Sequence, residues 1–239
     1  MKRLGWVWDS VTAFDNLLLA YRKARRGKRG REEVARFACE LEPELLRLQT
    51  ELREGRYRPG QYRQFTIYER KPRLISAAPF RDRVVHHALM NIIEPPLDRR
   101  FIDDCYACRK GKGVHAAVNR YQAYAQRYAY VLKLDIRQYF PSIDHRLLKE
   151  TLLRRIKDPD VLALLGAIID GGPPASPEGD FLFPGDDLFT PLERRRGILI
   201  GNLTSQFFAN LYLDDFDHWL KESLRTPAYL RYVDDLYPG

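Results

Sequence analysis

Tyr229-Leu230-Arg231-Tyr232-Val233-Asp234-Asp235, close to the carboxyl end of the sequence, is the stretch that decides the fold. Its apolar and aromatic residues are typical of a β-strand, and two adjacent acids follow them directly. Neighbouring carboxylates repel each other and resist burial unless a cation neutralises them. The stretch therefore predicts a β-hairpin that presents Asp234 and Asp235 to a metal ion, together with a third carboxylate from elsewhere.

Three other pairs of adjacent aspartates occur in the chain: Asp103-Asp104, Asp186-Asp187 and Asp214-Asp215. A solvated turn or a helix end is the ordinary explanation for such a pair. We expect it for Asp186-Asp187, which lies among prolines and a glycine, and for Asp214-Asp215, which lies inside a helical pattern. Only Asp234-Asp235 has β-forming residues immediately before it.

The third carboxylate is proposed at Asp135, because residues 129–134 are mostly apolar and read as a mostly buried strand that ends there. Taken alone, Asp135 is equally well explained as a cap or a surface residue. Combined with Asp234 and Asp235, it gives a candidate two-metal site. Such sites hold cations about 3.5–4 Å apart, activate an attacking hydroxyl and stabilise the leaving oxygen of a phosphoryl transfer. Asp144, a little further on, is expected to cap an amphipathic helix.

Length and composition fit a soluble globular protein of 239 residues, as one large domain or two subdomains. The sequence contains no run of about 18 apolar residues and no secretory signal at its start, so we expect no membrane span. Three cysteines argue against a disulfide framework and favour a reducing compartment, the cytoplasm. Cys105 and Cys108 form a lone CxxC, for which a buried structural role is expected rather than zinc.

The net charge of +8 is concentrated in the first third of the chain. Residues 1–80 contain 18 Lys and Arg against 10 Asp and Glu, whereas the remainder contains 22 of each. The densest run, residues 22–31, is by itself most simply a solvated face. Tryptophans and tyrosines are interleaved with the basic residues of this third, a combination that suits nucleic acid.

The remaining pattern predicts a mixture of helices and short strands. Helices are expected over residues 9–26, 31–54, 81–97 and 113–126, with the third ending at Glu94-Pro95-Pro96. Two antiparallel strands, 65–68 and 73–76, are expected to be joined through residues 69–72. Residues 171–191 hold five prolines and four glycines and predict a long irregular connection. A helix follows, with Asn202 as its expected cap and an aromatic stripe that continues to Trp219.

Three motifs resemble, in their order, the palm motifs of reverse transcriptases. They are Asp135-Ile136-Arg137-Gln138-Tyr139-Phe140, Ile200-Gly201-Asn202-Leu203-Thr204-Ser205-Gln206 and Tyr232-Val233-Asp234-Asp235. The resemblance begins at residues 71–75 and 79–87 and continues through 106–113, so it covers essentially the whole chain. It indicates a bacterial enzyme related to group II intron reverse transcriptases. Ile200 and Gln206 replace the glutamine and proline of most relatives and resemble the diversity-generating retroelement subgroup.

The resemblance implies a role for each site residue. Asp135, Asp234 and Asp235 would hold two Mg²⁺ ions as the catalytic carboxylates, with the Ile136 carbonyl as a further ligand. The other implied roles concern the nucleotide: Arg73 and Lys71 would grip the incoming triphosphate, Phe140 would exclude a ribose 2′-hydroxyl, and Ile200, Gly201 and Gln206 would line the nucleotide and template side. An ordinary core aromatic is the alternative explanation for Phe140, and the two roles are compatible.

The implied fold is α+β, with the fingers and palm of a right-hand polymerase and an antiparallel palm sheet packed on helices. Residues 1–128 would form an N-terminal extension and the fingers with some palm helix, and residues 129–239 the palm. Family members continue into a primer grip and a helical thumb. Because the sequence ends at Gly239, we expect the hairpin's second strand to be incomplete and the thumb to be absent, as in a fragment or an interrupted gene.

The implied function is RNA-directed DNA polymerisation in a bacterial retroelement. The implied partners are an RNA template, a DNA or RNA primer, dNTPs and a small basic accessory protein, without a membrane. Two alternatives stay open. One is an inactive relative that only binds RNA or a partner protein, and the other is a two-metal nuclease, for which the residues at positions 73 and 140 have no obvious use.

Overall fold

The computed structural model describes residues 3–68, 72–172, 186–187 and 189–238. The chain forms two compact units, each assembled from three stretches of sequence. Unit 1 comprises residues 1–97, 149–174 and 198–205, and unit 2 comprises residues 98–148, 175–197 and 206–239. Helices dominate both units, and the strands form small antiparallel sheets, so the predicted α+β class is confirmed.

The helices follow the amphipathic pattern of the sequence, with breaks that the pattern did not predict. In chain order they are α1 Trp8–Thr12, α2 Phe14–Ala24, α3 Glu32–Cys39, α4 Leu41–Arg53, α5 Phe80–Asp98, α6 Val114–Ala125, α7 Tyr139–Ser142, α8 His145–Arg155, α9 Pro159–Asp170, α10 Thr190–Glu193, α11 Leu203–Tyr212 and α12 Asp214–His218. A π-helical segment, Trp219–Ser223, follows α12.

The helix expected over residues 81–97 is confirmed as Phe80–Asp98, with Pro95 and Pro96 inside its last turn. Each proline lacks the N–H that would bond to the carbonyl four residues earlier, and its ring crowds that carbonyl, so the helix ends within three residues of Pro95. The long aromatic helix ends at Tyr212, and Phe216 and Trp219 lie exposed beyond the break instead of in the core.

Unit 1 has a helical core and a two-stranded sheet. α2 packs against α4, and α1 contacts both. Asp158 connects distant parts of this unit, because its Oδ2 accepts hydrogen bonds from the backbone of Val7 and Trp8 while its Oδ1 caps α9 at Val161. The predicted hairpin is confirmed: β1 Arg63–Tyr68 pairs antiparallel with β2 Pro72–Ala77.

Unit 2 contains a three-stranded antiparallel sheet in the order β3-β5-β4, formed by β3 Leu134–Asp135, β4 Leu230–Tyr232 and β5 Asp235–Tyr237. β4 also contacts α6. The backbone of Arg231 in β4 exchanges hydrogen bonds with Asp104 and Tyr106 on its other side. β4 is therefore bonded to β5 along one edge and to the backbone of residues 104–106 along the other.

The segment before Asp135 differs from the prediction of a mostly buried strand. Only Leu134 and Asp135 pair as a strand, and Tyr130, Leu132 and Leu134 are 88%, 56% and 43% exposed. β3 has one neighbour, β5, among the described strands. An edge strand of a small sheet leaves its apolar side chains without the cover that a central strand would have, which the local pattern cannot reveal.

Several smaller predictions concern the ends of elements. Asp144 caps α8 as expected, because its Oδ1 accepts a hydrogen bond from the Leu147 backbone at 3.0 Å. Cys105 is buried, as expected for a structural residue, but Cys108 is exposed. Most of the predicted irregular connection 171–191 lies outside the described residues. Of the helices within the described ranges, none combines the length and apolar composition that crossing a bilayer requires.

Candidate active site

Asp135 and Asp235 are cross-strand partners in the sheet of unit 2. β3 pairs antiparallel with β5, with Leu134 opposite Leu236 and Asp135 opposite Asp235. Residues that lie directly opposite each other project from the same face, with Cβ atoms about 4.5–5.5 Å apart. Strand pairing thus places two of the three predicted carboxylates side by side, although 99 positions separate them in the sequence.

Val233 and Asp234 form the two-residue turn between β4 and β5, because Tyr232 pairs with Asp235. Val233 has a φ of +59°, and Asp234 is not among the residues with positive φ. A two-residue hairpin with positive φ at its first position normally has glycine there. The second strand of the predicted hairpin is present over Asp235–Tyr237, where β5 pairs with β4.

The turn is tied to the segment that follows Asp135. The backbone N–H of Ile136 donates a hydrogen bond to the Asp234 carbonyl at 3.3 Å. Near the other end of β3, the N–H of Leu132 donates a hydrogen bond to the Pro238 carbonyl at 3.0 Å. These bonds extend the β3–β5 pairing in both directions and fix the backbone that carries all three aspartates.

The carboxylate of Asp235 is paired with a cation from its own sheet. Lys133 Nζ lies 3.4 Å from Asp235 Oδ1, and the ammonium also lies over the ring of Tyr237. A hydrogen bond with Tyr237 and the negative charge of Asp235 raise the pKa of Lys133. Among the described residues, no group of three Asp, Glu, His or Cys side chains is arranged to hold a metal ion. The donor set, carboxylates with a nearby backbone carbonyl, nevertheless suits a hard cation such as Mg²⁺.

Phe140 lies in α7, five residues after Asp135 in the sequence. Its ring contacts that of Tyr139 edge to face, with the centroids 5.7 Å apart. Tyr139 is buried and its hydroxyl donates a hydrogen bond to the Ala209 carbonyl, whereas Phe140 is half-buried. The buried neighbour therefore anchors α7, and the Phe140 ring keeps an accessible surface.

The predicted nucleotide-binding residues of unit 1 lie on and beside β2. Arg73 is exposed on β2 opposite Ile67, whereas Lys71 lies outside the described residues. The Ile200 carbonyl accepts a hydrogen bond from the Ser76 N–H at 2.9 Å, so residues 200–202 run beside the same strand.

Gly201 lies in close contact with β2. It has a φ of +111°, and a Cβ added there would lie 2.7 Å from Ile75 Cγ2. The Asn202 side chain binds the backbone of Ser76 and Ala78 at 3.0 and 3.3 Å, so it joins the helix entry to β2. In unit 2, Gln206 is exposed on α11.

The other aspartate pairs behave differently from one another. Asp187 is exposed and caps α10 through Thr190, as expected for a helix end. Asp214 is fully buried, which contradicts its predicted solvation, whereas Asp215 is exposed. Asp104 is also buried. Charged residues of this kind need polar partners in the core, which local sequence does not identify.

Asp104 is the centre of a charged cluster that the sequence did not reveal. Its carboxylate accepts hydrogen bonds from Arg120, Tyr124 and Lys221 at 2.7–2.8 Å, and from Tyr106 at 3.1 Å. Burial alone would raise the pKa of Asp104, but these hydrogen bonds outweigh burial and lower it. Since the Asp104 carbonyl also accepts from the Arg231 N–H, the cluster fixes one edge of β4.

Arg231 is a second buried charge that sequence reasoning missed. Its guanidinium forms an ion pair with Asp217, and both side chains are 0% exposed. It lies one residue before the Tyr-Val-Asp-Asp motif, within an otherwise apolar strand. A lone arginine in such a strand is the available sequence signal, although it does not identify Asp217 as the partner.

Comparison with known proteins agrees with this arrangement. The family model described as reverse transcriptase (RNA-dependent DNA polymerase) matches residues 63–238. Protein YkfC of Escherichia coli K12 is 28% identical over 195 residues, which cover 79% of this chain and 47% of YkfC. The mitochondrial nuclear intron maturase 2 of Arabidopsis thaliana is 26% identical over 172 residues, 64% of this chain and 23% of the maturase. The chain thus spans less than half the length of these relatives.

Among solved structures, a chain of the partial Cas6-RT-Cas1–Cas2 complex has a similar fold. The match covers 97% of this chain and 37% of that chain, with a TM-score of 0.54 and 22% sequence identity. The family predicted from the three motifs is therefore confirmed, while the diversity-generating subgroup stays a prediction. With a family model that matches well over half of its residues, the chain belongs to the reverse transcriptase (RNA-dependent DNA polymerase) family.

Proposed function

We propose that this chain carries the fingers and palm of an RNA-directed DNA polymerase of a retroelement, which adds dNTPs to a primer 3′-hydroxyl. The observation that supports the proposal most directly is the register of the sheet in unit 2. Asp135 lies opposite Asp235, and Asp234 occupies the adjoining turn. Three carboxylates on two neighbouring strands are the donor type that a pair of Mg²⁺ ions requires.

In this proposal Asp135, Asp234 and Asp235 hold the two ions, with the Ile136 carbonyl as a further oxygen ligand. The ions, when bound, supply charge that activates the primer hydroxyl and stabilises the leaving pyrophosphate. The remaining work falls to the protein. Strand pairing and the hydrogen bond from Ile136 to the Asp234 carbonyl hold the backbone that carries the acidic side chains.

The nucleotide is positioned by residues outside the acidic group. Arg73, exposed on β2, donates to the triphosphate, since a planar guanidinium fits phosphate oxygens. Lys71, which lies outside the described residues, is proposed to assist it. Phe140 presents a partly accessible ring that is proposed to exclude a ribose 2′-hydroxyl. Ile200, Gly201 and Gln206 are proposed to line the nucleotide and template side.

The macromolecular partners follow from charge and family. The basic excess lies in residues 1–80, where Lys and Arg exceed Asp and Glu by eight. Such an excess attracts the phosphate backbone of an RNA template and its primer. A small basic accessory protein is a further proposed partner, from the diversity-generating subgroup. The intron maturase and the Cas6-RT-Cas1–Cas2 chain are much longer polypeptides than this chain, which matches only part of each. Additional domains or partners are therefore compatible with this function.

The second candidate is an inactive relative that only binds RNA or a partner protein. The observation that favours it is the Lys133–Asp235 ion pair, in which an ammonium already offsets the charge of one of the three carboxylates. In this case the basic first third binds RNA, and no nucleotide is incorporated.

Primer extension on an RNA template separates the two candidates. The polypeptide is expressed from its complete reading frame and supplied with dNTPs and Mg²⁺. We expect extension by the wild type and its loss in Asp234→Asn/Asp235→Asn. Asp103→Asn is the matched control, because it removes an exposed carboxylate of the same unit. Extension that persists in the double variant contradicts the polymerase assignment, and RNA binding without any extension supports the second candidate.

A further inference from the structure

Arg231 connects the buried interior of unit 2 with the turn that carries the acidic pair. The residue lies in β4, and its side chain is 0% exposed. All five of its guanidinium N–H groups have acceptors. Nε and Nη2 donate to Asp217, Nη2 also donates to the Asn210 carbonyl, and Nη1 donates to Asn210 Oδ1 and to the Val233 carbonyl.

The bond to Val233 is the contact that matters for the turn. Arg231 Nη1 lies 2.9 Å from the Val233 carbonyl oxygen. Val233 has a φ of +59°, a conformation that β-branched residues rarely adopt because their Cβ substituents clash with the backbone. A turn with this residue needs support from its surroundings to persist. With Ile136 bonded to the Asp234 carbonyl, both carbonyls of the two-residue turn are held.

The guanidinium is itself immobilised from behind. Asp217 Oδ2 lies 2.6 Å from Nη2, and Asp217 Oδ1 accepts from Nε at 2.8 Å and from the Tyr229 hydroxyl at 2.6 Å. Asn210 Nδ2 donates to the Ala107 carbonyl at 2.7 Å, which fixes the amide that accepts from Nη1. The group that contacts the turn therefore has little freedom to move.

We infer that Arg231 is a positioning residue, which holds the Val233–Asp234 turn so that Asp234 and Asp235 face the metal position next to Asp135. The inference rests on the proposed function, because it assigns a purpose to the turn of the proposed catalytic carboxylates. It adds residues that the three motifs do not assign: Arg231 as the contact, with Asp217 and Asn210 as its anchors.

Lysine cannot replace arginine in this role. Its ammonium keeps the positive charge for Asp217, but it is a single point from which three protons diverge. The planar guanidinium reaches Asp217 with one edge and Val233 with another. Arg231→Lys therefore retains the ion pair and loses the bond to the turn, which separates positioning from charge.

Direct binding of Mn²⁺, measured by electron paramagnetic resonance without nucleic acid or nucleotide, tests the inference. We expect Arg231→Lys to weaken Mn²⁺ binding at least tenfold. Arg109→Lys is the control, because Arg109 is also largely buried, pairs with Asp98 and binds the Ile102 and Cys105 carbonyls, and none of these partners belongs to the turn. Arg109→Lys is expected to change the affinity for Mn²⁺ less than twofold, although it lowers thermal stability by about as much as Arg231→Lys.

The possible outcomes distinguish the inference from the function on which it rests. Arg231→Lys with an affinity within twofold of wild type overturns the positioning role, while the metal site stands if Asp135→Asn abolishes binding. Absence of Mn²⁺ binding by the wild type, or unchanged binding in Asp135→Asn, overturns both. If Arg231→Lys does not fold, Asn210→Ala takes its place. It removes one anchor of Nη1 and is expected to weaken binding about threefold, and wild-type affinity in that variant overturns the inference.

Discussion

Asp135 and Asp235 face each other across two antiparallel strands, and Lys133, two residues before Asp135, reaches the second of these carboxylates. Asp135 and Asp235 therefore lie beside a lysine ammonium that would compete with a metal ion for the Asp235 carboxylate. Alternate residues of a strand lie on the same face, so position 133 shares the face of position 135. This arrangement makes Lys133 the residue through which metal affinity is most simply adjusted.

Replacing Lys133 with glutamine is expected to tighten Mn²⁺ binding several-fold. The change removes a positive charge that repels the incoming cation and releases Asp235 Oδ1 from an ion pair. Titration at low ionic strength measures it, since salt screens exposed charges. Lys112→Gln is the control, because Lys112 pairs with the exposed Asp103. Equal or weaker binding by the Lys133 variant contradicts the expectation.

Phe140→Ala is expected to reduce the preference for deoxyribonucleotides over ribonucleotides. The Phe140 ring is partly accessible and makes an edge-to-face contact with the ring of buried Tyr139. Its loss opens space where the 2′-hydroxyl would lie. The ratio of kcat/KM for dNTP and rNTP in primer extension measures the effect, and Phe216→Ala, at an exposed aromatic residue of α12, is the control. An unchanged ratio removes Phe140 from this role.

Arg73→Ala is expected to raise the KM for dNTPs at least tenfold while kcat changes less. Loss of a hydrogen bond to a charged group costs roughly 1.5–3 kcal/mol. Arg63→Ala gives a matched control, because Arg63 is an exposed arginine at the opposite end of the same hairpin. If both variants raise KM equally, the effect reflects general charge and not a specific contact with the triphosphate.

Gly201→Ala is expected to destabilise unit 1. The residue has a φ of +111°, and the new Cβ would lie 2.7 Å from Ile75 Cγ2. Backbone strain of this kind costs about 1–3 kcal/mol, and the steric overlap adds to it. Urea unfolding measures the loss, with Gly30→Ala as the control, because a Cβ at Gly30 meets no atom within 4 Å. A loss below about 0.5 kcal/mol contradicts the expected strain.

The stability of unit 1 is expected to fall as the pH drops from 6.5 towards 4. Burial, followed by the charges of His87 and Arg83, lowers the pKa of His86 to about 4. The unfolded chain, with a histidine pKa of about 6.5, therefore binds a proton over this interval that the folded chain does not. The free energy of unfolding falls by up to about 1.4 kcal/mol per pH unit for this residue.

Urea unfolding at pH 7, 6 and 5 checks the histidine prediction. His86→Leu is expected to reduce the slope with pH, because the variant lacks the titrating group. His115→Gln, at an exposed position, is expected to leave the slope unchanged. An identical slope in His86→Leu and wild type assigns the acid sensitivity to other groups.

From the sequence, local features such as turns and caps were easier to predict than the burial of individual side chains. The hairpin of β1 and β2 and the cap at Asp144 depend on residues that are close in the chain, and both are confirmed. The exposure of Leu132 depends on whether a second strand lies beside β3, which no local pattern contains. The helix with Pro95 in its last turn is another local feature, and its expected range of 81–97 agrees with the observed Phe80–Asp98.

For the candidate site, the three aspartates are predicted from strand patterns that end in acids and from the family motifs, whereas the cross-strand register of Asp135 and Asp235 is seen only in the structure. The Arg231–Asp217 pair could not be found in this way. Asp217 lies in α12 and Arg231 in β4, and a charged residue in either pattern is most simply assigned to the surface. Only the folded chain shows that the two charges meet in the core and that a third contact leads from them to Val233.

The short length of β3 has a consequence for variation in this protein. Two paired residues set the register, and strand side chains alternate between faces with a period of two. A slip of β3 by one residue along β5 would turn the carboxylate of position 135 to the opposite face of the sheet, away from Asp235. Such a slip would separate the two carboxylates even if the helices folded normally.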